Sequence, residues 1–373
     1  MSLAYTPGLK RKEQYILRKA RILPLQGETT VKVGDRVEGD QVVAVTKIPG
    51  NPRIINACIF LDCDPEDMPR YILKKEGEPV SKGEIIARKK FWFIKKEYAC
   101  ECDGVLELIT QVSGQIVVRE PPIPVDLKAF IPGRIASVMQ NQGVVVQCPA
   151  AFIQGIFGIG GETHGELQTI VQSESEVVTI DHLKPEHAGR VLVGGSLVKG
   201  DVLRKAADMG VKGIIVGGIE DKDLRDFLGY EIGVAVTGQE NAGLSLIITE
   251  GFGKMNMAHA SFELLKKHSG DVAYINGATQ IRAGVIRPEI IIPLKETATL
   301  GKSDDTVSLE GMTPGMAVRI IEAPYFGMLG NIASLPVNLQ KMETESTARV
   351  LDVQLLDGRT VTVARANVEI IEE

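Results

Sequence analysis

Aromatic residues and cysteine are scarce in this chain of 373 residues, and bases do not outnumber acids. Only 5% of the residues are aromatic, and there is a single Trp. The 42 Lys and Arg stand against 48 Asp and Glu, which gives a net charge of -6. That balance excludes a globally basic nucleic-acid binder. No run approaches the roughly 20 apolar residues of a membrane span, so we expect no membrane partner.

The five cysteines have spacings that differ from those of common metal sites: Cys58, Cys63, Cys100, Cys102 and Cys148. Zinc knuckles use C-x2-C pairs, whereas this chain has C-x4-C and C-x-C. A secreted disulfide scaffold would have a higher cysteine density. We therefore predict structural thiols in a reducing cytoplasm, with no bound metal and no cofactor.

Bases are concentrated at the start of the sequence, where six of them and one acid fall within the first 21 residues. No apolar core or small-residue cleavage site follows, so the segment does not resemble a secretory signal. Residues 1–20 are interpreted as a basic arm. It either contacts RNA or anionic lipid or is a solvated tail, and the solvated tail is favoured.

An internal repeat lies in the N-terminal third. The glycine–acid pair Gly34-Asp35 is followed by Val42-Val43-Ala44, and forty-three positions later Gly77-Glu78 is followed by Ile85-Ile86-Ala87. Each copy predicts short strands separated by glycine turns.

These turns, with the later Asp103-Gly104-Val105, resemble the barrel-sandwich fold of biotinyl and lipoyl domains over roughly residues 21–146. The family attaches its cofactor to a lysine on an exposed hairpin. The hairpin at that place is Lys89 to Lys96, and it lacks the family's flanking pattern, so no attachment site is carried over. Its tip consists of Phe91, Trp92 and Phe93, which indicate either a docking surface or aromatics folded onto the barrel.

Glycines cluster between residues 155 and 165, where they could cradle a phosphate. The following residues look like a strand rather than a helix, so a glycine-rich β-hairpin is the preferred interpretation. Glu162 and His164 are a candidate acid–base pair, although a His in a turn is usually a turn residue.

From residue 189 to 293 the pattern changes to alternating strands and helices. One helix is predicted around Val202 to Met209 with Gly210 ending it, and a second before Gly229. A third is predicted to begin with Asn256 as its cap. Ligands in such units bind at the carboxyl ends of strands. The candidate ligand-binding residues are Gly194, Gly195, Ser196, Gly217, Gly218, Thr249, Glu250, Gly251, Thr279, Gln280 and Arg282.

Arg282 in this set could pair with a carboxylate or phosphate, which would make the region an anion pocket. The alternative is that the glycines only close short loops and that Glu250 pairs with Arg282.

The last 63 residues contain a P-G-x-x-V-R-I-I segment at 314–321 and a later Asp357-Gly358 turn. They resemble the KOW motif of ribosomal proteins and transcription elongation factors, an SH3-like barrel that often binds RNA and sometimes protein. Five bases against eight acids favour protein contact here. Tyr325 and Phe326 are candidate interaction residues, either stacking on bases or packing in the core.

The sequence thus predicts a mixed, β-rich multidomain protein. Its parts are a basic arm (1–20), a barrel-sandwich-like region (21–188), an α/β domain (189–300) and a KOW/SH3-like barrel (301–373). Without a catalytic constellation, a non-catalytic scaffold that forms a homo-oligomer or binds protein is favoured. The alternatives are an anionic-ligand protein or enzyme using the α/β domain, and a nucleic-acid factor, which is less favoured.

Overall fold

A computed structural model describes most of the chain. The described residues are 9–91, 94–110, 112–230, 242–279, 286–295, 314–320, 325, 328–336, 340–341, 347–348, 350–355 and 358–372. Strands dominate, and they are distributed over several sheets.

Within residues 9–154, thirteen strands are described, β1 to β13: Leu9–Ile22, Glu28–Thr29, Arg36–Val37, Val42–Ile48, Pro52–Ile55, Pro79–Val80, Ile85–Phe91, Ile94–Ala99, Gly104–Ile109, Ile116–Arg119, Ile123–Lys128, Gly133–Met139 and Gly143–Gln154. The helices of this part are short, with α1 at Ala57–Leu61 and α2 at Met68–Tyr71.

From Leu9 onward the basic N-terminal segment is a strand, which differs from the favoured interpretation of residues 1–20 as a solvated tail. β1 pairs antiparallel with β13, from Arg11 opposite Ile153 to Ile22 opposite Gly143. Leu9 and Leu17 are buried, whereas the three bases between them, Lys10, Arg11 and Lys12, are partly exposed. A strand with one face on the core buries its apolar side chains and leaves its polar ones nearer the surface. Counting charges along the sequence does not reveal this arrangement.

Residues 52–119 form a module inserted between β4 and β11, which we call the inserted module. β4 and β11 pair antiparallel up to Ile48 opposite Ile123. A Cβ on Gly50 would lie 2.1 Å from the carbonyl oxygen of Glu120, so the two connections run side by side. The module has a four-stranded sheet, β5-β10-β9-β6, and the hairpin β7–β8. Its separate core is Ile55, Ala57, Cys58, Leu61, Met68, Val80, Ile86, Ala87, Cys100, Leu106, Ile116 and Val118.

The sequence repeat corresponds to a repeated turn. Gly34 and Gly77 both have positive φ, +91° and +87°. In the first copy the Lys32 N–H donates to the Asp35 carboxylate at 2.8 Å, and in the second the Lys75 N–H donates to the Glu78 carboxylate at 3.2 Å. An acid directly after glycine therefore closes the turn that begins three residues before it.

Residues 157–293 add nine described strands, β14 to β22: Phe157–Ile159, Glu162–Thr169, Val177–Val178, Val191–Val193, Leu197–Val198, Gly213–Ile219, Ser245–Phe252, Val272–Asn276 and Glu289–Pro293. The helices are α3 (Gly200–Asp208), α4 (Asp221–Leu228) and α5 (His259–Lys267). β17, β19 and β20 are parallel neighbours. Nearly every residue of β19 and β20 is buried, as a sheet covered on both faces requires.

The glycine-rich segment 155–165 is extended, but its two strands do not pair as the predicted hairpin. β14 pairs antiparallel with β20, whereas β15 pairs with β21 and, in parallel, with β17. Gly160, with φ +81°, turns the chain between them. The glycines therefore lie where the chain passes from its position beside β20 to its position beside β21.

In the C-terminal part the described strands are β23 to β29: Ala317–Ile320, Leu329–Ser334, Gln340–Lys341, Thr347–Ala348, Val350–Leu355, Thr360–Ala364 and Val368–Glu372. β23, β24, β27 and β28 pair antiparallel in sequence, and β29 returns to β23. Nine buried apolar residues form their core. β29 also pairs in parallel with β1, with Ile371 opposite Leu9. The C-terminal strands therefore belong to the same 18-stranded sheet as β1, β13 and β22.

No helix within the described ranges is both long and apolar enough to cross a bilayer.

Candidate functional site

Most of the predicted glycine loops are filled by protein backbone. A Cβ on Gly195 would lie 2.3 Å from the Glu176 carbonyl oxygen, and one on Gly217 would lie 2.1 Å from that of Met255. On Gly218 it would lie 2.0 Å from the Gly253 carbonyl oxygen. These glycines are needed for close approach of neighbouring loops, and the neighbours occupy the space that a ligand would take.

The remaining predicted residues of this edge are packed in the same way. Ser196 is fully buried, and its hydroxyl donates to the Ser175 carbonyl at 2.8 Å. A Cβ on Gly194 would contact the Val178 side chain at 2.4 Å. Gly251 lies within β20 opposite Gly218 of β19.

Thr279 lies apart from Glu250 in the hydrogen-bond network. Its hydroxyl bonds to the N–H of Gly158 at 2.8 Å and to the carbonyl of Gly158 at 3.0 Å, and it is buried. It therefore fastens the glycine-rich segment. Gln280 and Arg282 lie outside the described residues.

Glu250, at the end of β20, pairs with Arg319 of β23. One oxygen of Glu250 accepts from the Arg319 guanidinium, and the other accepts from the Ala258 N–H at 2.9 Å. The exposed fractions of the two side chains are 8% for Glu250 and 6% for Arg319. Arg319 also donates to the Thr249 carbonyl at 3.4 Å. A charge pair buried to this degree is stable only when its atoms have further hydrogen bonds, which Thr249 and Ala258 provide.

A cavity of about 240 Å³ lies beside this ion pair. It opens where four parts of the chain meet: the start of β1, the ends of β13 and β20, the first turn of α5, and strands β23 and β24. Its polar lining residues are Lys10, Arg11, Gln154, Thr249, Glu250, Ser261, Arg319 and Asn331. We call it the junction cavity. Of the predicted ligand residues, it brings together Thr249 and Glu250.

Sequence reasoning did not identify Arg319, Ser261 or Asn331 as site residues. One signal was present for Arg319, which interrupts the apolar run from Val318 to Ile321. A charged side chain on the buried face of a strand needs a partner from elsewhere. Ser261 and Asn331 have no comparable local signal.

Glu162 and His164 do not form the candidate acid–base pair. Glu162 accepts from the Arg21 guanidinium at 2.8 Å, whereas His164 stacks on Tyr274 and lies 3.5 Å from the Asp40 carboxylate. The two side chains therefore have different partners, Arg21 for Glu162 and Tyr274 and Asp40 for His164.

The proposed interaction aromatics are described only in part. Trp92, Phe93 and Phe326 lie outside the described residues, and Phe91 ends β7. Tyr325 packs against the C-terminal core, which is the core interpretation for that residue.

The lysines of the β7–β8 hairpin face each other across the two strands. Lys89 lies opposite Lys96, and Lys90 opposite Lys95. Lys89 donates to the carbonyl of Asp62, and Lys96 lies 3.8 Å from its carboxylate. The carboxyl end of α1 thus offsets the repulsion on one face of the hairpin.

The cysteines are free thiols within two cores. Cys58, Cys100 and Cys148 are buried, and Cys63 and Cys102 are partly buried. Burial raises the pKa of Cys148 to about 12 and also raises the pKa values of Cys63 and Cys102. Among the described residues no group of three His, Cys, Asp or Glu side chains could hold a metal ion.

Comparison with protein-family models and with curated proteins finds no match for this chain.

Proposed function

We propose that the protein is a non-catalytic interaction scaffold that assembles with copies of itself through the inserted module. In this proposal, residues 21–188 are a barrel-sandwich-like region without an attached cofactor, 189–300 an α/β domain and 301–373 an SH3-like barrel of the KOW kind. The five reduced thiols support a cytoplasmic protein.

The observation that carries the proposal is a concentration of exposed apolar side chains. Of the sixteen large hydrophobic residues found exposed in the described chain, seven belong to the inserted module: Ile54, Ile59, Phe60, Leu73, Val105, Leu108 and Val112. Single exposed apolar residues are ordinary, whereas grouped ones mark contact surfaces.

Three apolar residues form a stripe across the outer face of the module's sheet. Ile54 of β5 lies opposite Val117 of β10, which lies opposite Leu108 of β9. Ile54 is 62% exposed and Leu108 46% exposed. Directly opposed residues of paired strands share a face, so the stripe is continuous over three strands.

The stripe ends at an edge of the sheet. In the described chain β5 pairs with β10 alone, and it begins at Pro52, a residue type that sheets admit at edges. A groove lined by Arg53 to Asn56 and by Tyr98, Glu101 and Cys102 runs along this edge. An unpaired edge is a template for another strand.

A second copy of the chain fits this edge by symmetry. An antiparallel pair of β5 strands has a two-fold axis, so one surface is complementary to itself. Pairing would bring the two Ile54 stripes together into one apolar face. The charges beside it are already paired, Arg53 with Glu120 and Arg119 with Glu107, so bringing two copies together opposes no like charges there.

Native mass spectrometry with and without an edge substitution tests the proposal. The wild-type chain should show a multiple of 40.4 kDa. Ile54→Lys should give the monomer because the two-fold antiparallel pair would set two lysines side by side, and like charges on neighbouring strands repel. Val112→Lys is the matched control, since Val112 is 95% exposed in the same module but outside the stripe. A monomeric wild type at tens of micromolar, or the same assembly in Ile54→Lys, would contradict the proposal.

A further inference from the structure

Arg319 has one hydrogen-bond donor without a partner. Its Nη atoms bond to Glu250 and to the Thr249 carbonyl, but its buried Nε has no partner among the described residues. Arg319 is only 5% exposed and lines the junction cavity. A buried charged donor left unpaired is costly, so the position favours an acceptor inside the cavity.

The charges around the junction cavity also favour an acceptor that is anionic. Lys10, Arg11 and Arg319 contribute three positive charges to its lining, and Glu250 contributes one negative charge. Glu250 already has both oxygens occupied, by Arg319 and by the Ala258 N–H. The cavity is therefore a positive site in a chain that is acidic as a whole.

The first turn of α5 supplies further donors. Its first intrahelical bond runs from the Phe262 N–H to the Ala258 carbonyl at 3.0 Å, so the N–H groups of residues 259–261 have no acceptor within the helix. Ser261 is 7% exposed and lines the cavity. A helix N-terminus and a buried arginine on one cavity form an arrangement that suits carboxylate or phosphate oxygens.

The volume of the junction cavity, about 240 Å³, has room for several water molecules or for a small oxyanion.

We propose that the junction cavity binds a compact oxyanion, a small carboxylate or a phosphate, with Arg319 Nε and the Ser261 end of α5 as its main donors. The ligand would contact the N-terminal strand, the central region and the C-terminal strands at once. Its binding would therefore stabilise their junction. This site is separate from the self-assembly edge in the inserted module.

Isothermal titration of the full chain with sodium phosphate, acetate, succinate and sodium chloride tests the site and distinguishes the two sources of oxyanion. We expect saturable binding of phosphate or of a carboxylate, and none of chloride. Ser261→Ala should weaken that binding about tenfold, since it removes one donor to a charged group. Lys10→Gln should weaken it several-fold because it removes a charge from the lining.

Lys295→Gln is the matched control. Lys295 lines a different cavity, of about 330 Å³, beside Arg36 and Cys148, so binding should not change. Repeating the titration with Ile54→Lys separates the two proposals, because anion binding should survive loss of assembly. Absence of saturable binding at 10 mM of each anion, or equal weakening by Lys295→Gln and Ser261→Ala, would refute the site.

Discussion

Arg319 and Glu250 form an ion pair that joins the C-terminal strands to the central parallel strands and is buried on both sides. Removing one partner leaves the other charge buried and unpaired. We therefore expect Arg319→Met to destabilise the protein by about 3–5 kcal/mol. The expected readout is a lower midpoint in thermal unfolding followed by circular dichroism.

Two further variants distinguish the effect of breaking the buried ion pair from the effect of removing any arginine. Arg319→Met combined with Glu250→Gln should recover part of the loss, because the uncompensated charge is gone. Arg70→Met removes an exposed partner of Asp67 and should change stability by less than about 1 kcal/mol. Equal effects of Arg319→Met and Arg70→Met would contradict the role of burial.

The repeated turn gives a prediction about backbone conformation. Gly34 and Gly77 have positive φ, and a Cβ on either would meet no atom within 4 Å. Substitution by Ala therefore lowers the free energy of unfolding only because Ala is disfavoured in the left-handed conformation, by about 1–2 kcal/mol at each position. Gly50→Ala should cost more, because its Cβ would lie 2.1 Å from the Glu120 carbonyl oxygen. Melting temperatures of the three variants measure the order.

Gly161→Ala is the neutral control for that series. Gly161 has ordinary φ, and nothing lies within 4 Å of its added Cβ. A larger loss at Gly161 than at Gly34 would show that the conformational argument fails.

His187 gives the chain a pH-dependent stability. Burial lowers its pKa below the ordinary value of 6.5, and its Nδ1 accepts the Lys184 N–H at 3.1 Å. The unfolded chain therefore takes up the proton more readily than the folded one. The stabilisation is complete above pH 6.5 and is lost as the pH falls through the lowered pKa.

The measurement is the melting temperature between pH 7.5 and 5 for the wild type and His187→Asn. An Asn side chain retains an acceptor near Nδ1 but does not titrate, so the decline at low pH should become shallower. An identical pH profile in the two proteins would assign the decline to other groups.

The cysteines should react slowly in the folded protein. Burial holds the pKa of Cys148 at about 12 and raises those of Cys63 and Cys102, so few thiolates are present at pH 8. With Ellman's reagent we expect slow substoichiometric labelling of the native chain, and five thiols after denaturation. Rapid labelling of two or more thiols in the native protein would contradict the buried placement.

The sequence predicted best where local chemistry sets the structure. Gly210 and Gly229 follow helices α3 and α4 as expected, each with positive φ. The predicted cap Asn256 was wrong: α5 begins at His259 with Ala258 as its N-cap. The Ala258 N–H bonds instead to the Glu250 carboxylate, so a distant side chain took the role that sequence reasoning gave to a neighbour.

Only part of the candidate site could be predicted from the sequence. Thr249 and Glu250 could be found because the end of a buried strand places them at the edge of the parallel sheet. Their partner could not, because the contact from Glu250 to Arg319 spans 69 residues and depends on how two regions pack. The structure pairs Glu250 with Arg319. The pairing of Glu250 with Arg282, which the sequence suggested as an alternative, stays a prediction because Arg282 lies outside the described residues.

β1 contacts both the body and β29, with Leu9 opposite Ile371. During synthesis β1 leaves the ribosome long before β29 has been made. The parallel contact therefore forms only after the chain from Leu9 to Ile371 has been made. High contact order of this kind slows folding. Swapping β29 between neighbouring nascent chains is consequently a specific hazard of this topology.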